Sequence, residues 1–470
     1  MKKVLWRPQP RQAEFLRRRE YEVLYGGAAG GGKSEAAVML PLYWVGVPWF
    51  RALILRKSFP QLRELIDKSL VYYGSAFPGA RYNVTAHRWT FPSGATVSFG
   101  SMYGTADREK YRGLQFDLII FDELTHFTWA EYSFMFSRNR PAGPGTFVGM
   151  RGTTNPGGVG HGWVKNRFIT AAPPMTPIVE EVEVGLPEGG TKRMTRSRLF
   201  VPATVFDNRA LLTNDPGYLA NLGMLPEAER NAQLYGSWDS FEGQVFTEWR
   251  DDPAHYVDRR WSHVIAPFRI PGHWTLIRGF DWGYSRPFSV GWWAVDEDGR
   301  LYRIAEYYGC GGAPDRGLRL EVAELARRIR AMEQENENLK GREIMGVADP
   351  AIAQRDGGDS IADIMARERV FWGKGDNTRL AGKMQYHYRL AFDGEGLPML
   401  YAFRTCRHFI RTLPALVYDP GRVEDVDTRG EDHAYDEGRY VLMERPITPR
   451  TGATAPRAGE DPLNMKGGSA

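Results

Sequence analysis

Apolar positions in this chain come mostly in short runs closed by glycine, proline or acidic residues, with helical periods between them. Residues 22–25 (EVLY) form a buried strand that ends in glycines, and residues 33–44 (KSEAAVMLPLYW) carry the spacing of a helix. Residues 51–56 (RALILR) predict a second strand. The stretch 60–70 predicts an amphipathic helix with Leu62, Leu65, Ile66 and Leu70 on one face. Residues 89–99 read as a hairpin turning at Pro92, Ser93 and Gly94. Residues 118–121 (LIIF) are a fully apolar strand running into Asp122 and Glu123, and 147–153 predict another strand. Residues 170–197, rich in Pro, Glu, Thr and Gly, read as an excursion between strands.

The second half repeats the style with different order. Residues 274–280 predict a strand ending at Asp281. Two more, 288–295 and 301–308, are joined by an Asp-Glu-Asp-Gly turn. Leu318, Val322, Leu325, Ile329 and Met332 recur at helical steps, residues 343–348 form a strand ending at Asp349, and an acidic helix start covers 431–436. Alternating strands and helices make both halves α/β. Residues 241–271 lack a sustained period and are expected to link a domain at 1–240 to one at 272–446. Residues 447–470 are expected to be a disordered tail.

Composition narrows the class. A chain of 470 residues exceeds one ordinary core, so two or three domains are expected. Hydrophobic content of 42% with 25% charged residues is that of a globular protein, and a net charge of +4 permits nucleic acid without arguing for it. Cys310 and Cys406 are the only cysteines, too far apart for metal-ligand spacing, which disfavours a zinc site or disulfide scaffold. The N-terminus has no apolar core of a signal peptide, and no run approaches the ~18 to 20 apolar residues of a membrane span. A cytoplasmic location without membrane contact is expected.

The chemistry is densest at Gly27-Ala28-Ala29-Gly30-Gly31-Gly32-Lys33-Ser34, which fits G-x-x-x-x-G-K-[ST] between a strand and a helix. Backbone N–H groups of such a loop converge on phosphate oxygens at a helix N-terminus. Lys33 is expected on the β/γ-phosphates and Ser34 on Mg²⁺. The adjacent carboxylates closing 118–121 suit a metal-holding Asp122 and a water-aligning Glu123. Thr153, Thr154 and Asn155 end the next strand, where a polar group can sense the γ-phosphate. Arg138 and Arg140 are candidates for an arginine finger. In the second half, Asp281 and Asp349 terminate strands, while Asp432, His433 and Asp436 fall within one helical turn. Carboxylates gathered from two strand ends and a helix suit two hard cations, Mg²⁺ or Mn²⁺, ~3.5 to 4 Å apart. Asp436 is expected as the third ligand, with Asp432 and His433 auxiliary.

Taken together these residues resemble the large subunit of the tailed-bacteriophage DNA-packaging terminase. The similarity includes the glycine loop, Arg112-Gly113-x-x-Phe116-Asp117 leading to Asp122-Glu123, Thr153-Thr154-Asn155, and the junction 228–246. It implies a RecA-like P-loop ATPase domain, with a mostly parallel sheet, joined to a ribonuclease H-like nuclease domain. It also implies ATP with Mg²⁺, Gln12 as an adenine contact and Asn155 as a coupling residue. Implied partners are double-stranded DNA, a small terminase subunit, the portal protein and further copies in a ring, in the infected host's cytoplasm. The final motif departs from the family's usual Asp-Ala-x-Arg-Tyr by reading Asp436-Glu437-Gly438-Arg439-Tyr440. Gly438 costs about 1 kcal/mol relative to Ala inside a helix. Two other functions compete. A helicase-nuclease of DNA repair needs a second RecA-like lobe, for which the region after 170 is too short. A non-enzymatic DNA- or portal-binding remnant is opposed by the intact Lys33, Asp122, Glu123, Asp281 and Asp349.

Overall fold

The structure, a computed structural model, describes residues 4–448 apart from 226, 240, 242, 313 and 356. The expected disordered tail at 447–470 lies almost wholly outside the described residues.

Helix α1 (Pro10–Arg17) precedes β1 (Glu22–Gly27), and α2 (Lys33–Met39) follows the glycine loop. Then come β2 (Arg51–Arg56), α3 (Phe59–Ala76), β3 (Arg81–Asn83), β4 (Arg88–Thr90), β5 (Thr96–Ser101), β6 (Leu118–Asp122), α4 (Trp129–Phe134), β7 (Gly149–Thr154), β8 (Ile178–Gly185) and β9 (Thr191–Ala203). They form one nine-stranded sheet in the order β3-β4-β5-β2-β6-β7-β1-β9-β8, whose inner six strands are parallel. Because β7 is inserted between β1 and β6, the glycine loop and the Asp122-Glu123 pair leave the same edge two strand spacings apart, about 10 Å.

Two expectations change here. Helix α3 buries Leu62, Leu65, Ser69 and Tyr73, whereas Leu70 is 46% exposed. The inward stripe therefore passes through Ser69, which accepts a hydrogen bond from Trp89 Nε1 at 2.9 Å. The excursion at 170–197 is instead an ordered hairpin of β8 and β9, exposed at its tip, while Arg198–Ala203 continue as a core strand beside β1.

The second sheet holds β10 (Val264–Ile265), β11 (Thr275–Asp281), β12 (Ser289–Val295), β13 (Leu301–Tyr308), β14 (Met345–Ala348), β15 (Gly373–Lys374) and β16 (Leu400–Phe403). Its order is β10-β16-β13-β12-β11-β14-β15. The strands β11, β12 and β13 are antiparallel neighbours, and β14 and β15 add in parallel beyond β11. A 3-2-1-4-5 core with a helix between its third and fourth strands is the ribonuclease H-like arrangement. That helix is Val322–Glu335; Leu318 lies before it and is partly exposed.

Residues 241–271 are not a free linker. Val245, Phe246, Val264, Ile265 and Ile270 are buried in the second core, so the layer begins near Gln244. Single buried residues among polar ones left no period to read.

The C-terminal helix His433–Glu444 packs on β11 and β12. Its Glu437 is fully buried, paired with the buried Arg303 and accepting from Trp293 Nε1 at 2.8 Å. Gly438 is the one residue that fits its place: a Cβ there would come within 2.0 Å of Tyr386 Oη. Among the described residues no helix is long and apolar enough to cross a membrane.

Candidate active sites

At the carboxyl edge of the first sheet, Gly32 adopts φ 71° at the start of α2, with Gly30 also at φ 71°. Tyr25 Oη donates to Gly31 O at 2.8 Å and Asn208 Nδ2 to Gly30 O at 2.7 Å, fixing the loop from outside. Gln12, buried, donates from Nε2 to Gly32 O at 2.8 Å and accepts from Gln9 N–H at 2.8 Å. Lys33 folds back to donate to Ala28 O at 2.5 Å. Burial lowers the pKa of its ammonium, against the pull of Glu123 and Asp122.

Asp122 is the hub. It is 1% exposed, with Ser34 Oγ 3.3 Å from both its carboxylate oxygens. Thr153 Oγ1 donates to Oδ1, and Arg56 donates to Oδ2 through Nε and Nη2, each at 2.6 Å. Glu123 takes the left-handed conformation, φ 56° and ψ 58°, at a cost of about 1–2 kcal/mol for a residue with a Cβ. Burial, then the neighbouring Asp122, raises its carboxyl pKa; Lys33, Arg56 and the Asn155 N–H oppose them. Thr154 Oγ1 lies 2.7 Å from Thr125 Oγ1, which donates to Asn155 O at 3.0 Å. The end of β7 is thereby tied both to Asp122 and to the turn after Glu123. Asn155 Oδ1 is buried with no hydrogen-bond partner among the described residues.

Arg138 and Arg140 do not join this site. They flank Asn139, which bridges to Phe116 before the start of β6. Asp122 is six residues further along that strand, about 20 Å away. Neither arginine reaches the phosphate edge of its own chain. Arg56, which no motif or spacing singled out, does.

In the second sheet Asp281 ends β11 and Asp349 follows the parallel neighbour β14, so both emerge at one edge. Asp281 Oδ2 is 3.0 Å from His433 Nδ1, and His433 Nε2 is 3.4 Å from Asp315 Oδ1. Asp349 accepts from Ala351 N–H at 2.8 Å and from Tyr440 Oη at 2.9 Å. Asp432 is buried at the helix start with no side-chain capping bond. Asp436, expected as the third ligand, accepts from Arg439 Nε at 3.0 Å and lies 3.7 Å from Arg379 Nη1.

Burial first, then Asp436 and Asp349, pushes Asp281 up to about 6 against the pull of His433. Burial and then Asp436 push Asp432 well above the usual carboxylate range. For His433 burial disfavours the charged ring, but Asp281 and Asp315 outweigh it and raise the pKa. Among the described residues, no three His, Cys, Asp or Glu side chains are gathered closely enough to hold an ion as they stand. The donor set suits a hard cation by chemistry, with crowded buried carboxylates in excess over cations. His433, Tyr440 and Arg439 are the side-chain partners of Asp281, Asp349 and Asp436 respectively. Asp315 and Tyr440 escaped the sequence because only the fold brings them to these aspartates.

A glycine loop and an Asp-Glu strand separated by one inserted strand define a RecA-like P-loop ATPase domain; the second sheet defines a ribonuclease H-like one. Residues 24–249 match the family described as terminase large subunit, T4likevirus-type, N-terminal. Among solved structures it is similar to the large terminase of a thermophilic bacteriophage, at 16% identity and TM-score 0.40, covering 93% of this chain and 98% of that one. It is also similar to the HK97 bacteriophage large terminase, at 9% identity and TM-score 0.44 over 93% and 95% of the chains. The P22 large terminase nuclease domain matches at 15% identity and TM-score 0.32, over 43% of this chain and 93% of that domain. No curated protein sequence matches this one.

Proposed function

We propose that this chain is the motor subunit of viral DNA packaging, hydrolysing ATP to drive duplex DNA through the portal into a procapsid and cutting concatemeric DNA with a metal-dependent endonuclease. The observation that carries it is the convergence on Asp122 of the glycine loop through Ser34, the β7 end through Thr153, and β2 through Arg56. Mg²⁺ held by Ser34 and Asp122 would supply charge neutralisation to the phosphates. Lys33 exchanges Ala28 O for the β/γ-phosphate oxygens. Glu123 orients the attacking water, and its raised pKa suits it to receive that water's proton. Gln12 keeps one amide N–H and one lone pair for the adenine edge. Thr153, Thr154 and Asn155 pass a change at the γ-phosphate to the turn after β6.

In the nuclease half, Asp281, Asp349 and Asp436, with Asp432 and His433 beside them, would hold two Mg²⁺ or Mn²⁺ ions, which supply an activated water and stabilise the leaving oxygen. Double-stranded DNA, a small terminase subunit and the portal are the partners, with copies of the chain in a ring at the procapsid within the host cytoplasm. In such a ring Arg138 and Arg140 have a neighbour's site, not their own, as phosphate target. The test is ATP turnover by the full chain with and without procapsids and linear DNA. Stimulation by both together, with DNA protected from added nuclease, is expected; turnover indifferent to procapsids overturns the motor assignment.

A further inference from the structure

We propose that Arg56 is a catalytic arginine acting in cis, held on Asp122 in the nucleotide-free state and transferred to the terminal phosphate when Asp122 takes up the metal. This deepens the ATPase reading above and rests on it. The glycine loop carries no arginine, and the two arginines that follow β6 lie at the wrong end of the sheet for their own site. Arg56 ends β2, the strand hydrogen-bonded to β6 in the register Leu55 to Phe121. Its guanidinium is therefore delivered beside Asp122 by the sheet itself, with the side chain only 13% exposed.

Three contacts define its present state. Nε and Nη2 both meet Asp122 Oδ2 at 2.6 Å, and Nη1 donates to Gln61 O at 2.9 Å in the first turn of α3. Arg56 and Lys33 are the two cations whose charge favours the ionised Glu123 carboxylate. Lys33 is meanwhile occupied by Ala28 O. Ser34 Oγ approaches the same Asp122 carboxylate, so a divalent cation placed between Ser34 and Asp122 competes directly with Arg56 for that charge. A guanidinium beside a divalent cation is repelled. Besides the nearby Glu123 and Glu64 carboxylates, the anion then open to it is the γ-phosphate, whose equatorial charge in the transition state a planar fork of donors matches.

A merely structural counter-ion for Asp122 makes different predictions, and the full chain distinguishes them. Arg56→Ala and Arg56→Lys are each expected to lower kcat by at least about a thousandfold, the scale of an arginine finger, with KM and ADP affinity within a fewfold of wild type. Retained ADP binding also reports that the variants fold. Binding of ADP with aluminium fluoride, which mimics the transferring phosphoryl group, should lose its advantage over ADP alone in both. Mixing Arg56→Ala with Lys33→Ala subunits should restore no turnover, since an arginine in cis cannot repair a neighbour. Wild-type kcat in Arg56→Lys, undiminished aluminium-fluoride binding in Arg56→Ala, or rescue in the mixture each overturns the assignment. Lys33→Ala separates the two levels. If it retains turnover, the P-loop reading itself fails; if it is inactive while Arg56→Ala is not, only the role of Arg56 fails.

Discussion

At the residue scale the two sites differ in how ready they are. The ATPase edge is assembled: Ser34, Thr153 and Arg56 already surround Asp122, and Glu123 holds a strained backbone that aims it past the strand end. Lys33→Ala or Glu123→Gln is expected to cut ATP turnover by at least about a hundredfold while the second half stays folded, because the roles proposed for both lie in the P-loop half. A coupled-enzyme ATPase assay beside a melting curve checks both parts. At the edge of the second sheet Asp281, Asp349 and Asp436 each have a side-chain partner, whereas Asp432 makes no side-chain capping bond. Asp281→Asn should abolish Mn²⁺-dependent plasmid cleavage yet leave ATP hydrolysis intact, as no ligand is shared. Wild-type cutting by that variant would remove the nuclease assignment. Asp436 holds Arg439 and sits near Arg379, so Asp432, read from the sequence as auxiliary and buried without a side-chain capping bond, is the less encumbered carboxylate. Asp432→Asn is now expected to impair cleavage at least as much as Asp436→Asn; a milder Asp432→Asn returns the order to the sequence-based one.

His161 carries a separate, pH-dependent expectation. Its Nδ1 accepts from Gly157 N–H at 3.0 Å, Nε2 lies 3.1 Å from Trp238 O, and the ring stacks on Phe241 at 4.0 Å. Burial, then Lys165, lowers its pKa to about 3. The unfolded chain takes up this proton near pH 6.5 and the folded chain only near 3, so stability is lost as pH falls through that window. Thermal melts at pH 7.5 and 5 should show a smaller acid-induced drop in His161→Gln than in wild type. An equal drop in both would place the acid sensitivity elsewhere.

At the element scale, what was legible depended on the length of the signal. The glycine loop, the run 118–121 and the strand-ending aspartates were readable because spacing alone encodes them. Arg198–Ala203, a core strand, offers only three consecutive apolar residues after a basic stretch, and Val264 and Ile265 make a two-residue strand among polar neighbours. Arg56 was invisible for another reason: its partner is 66 residues away, and the pairing exists only through the β2–β6 register. Gly438 was read as a helix-weakening departure, yet the crossing of the last helix over Tyr386 requires it. Gly438→Ala is expected to destabilise the protein by about 1–3 kcal/mol through overpacking, despite its gain in helix propensity. Urea unfolding followed at the tryptophans measures this; unchanged or greater stability would mean that Tyr386 yields at no cost.

At the scale of the whole molecule, the chain passes between the two sheets once, after the helix Glu227–Gln233 and before Gln244. Limited proteolysis is expected between Tyr235 and Gly243, leaving a P-loop piece and a ribonuclease H-like piece that begins near Gln244. Cuts within 244–271 would contradict the burial of Val245, Phe246 and Val264 in the second core. Beside that crossing, one buried apolar contact shared by the halves is the small cluster of Ala232, Phe241 and Val417, with Gly162 meeting Ala415 nearby. Mechanically, the crossing carries tension along the backbone, while any rotation of one sheet against the other must also shear the seam lined by Thr128, Val159 and Trp163 on one side and Asp315, Arg411 and Arg429 on the other.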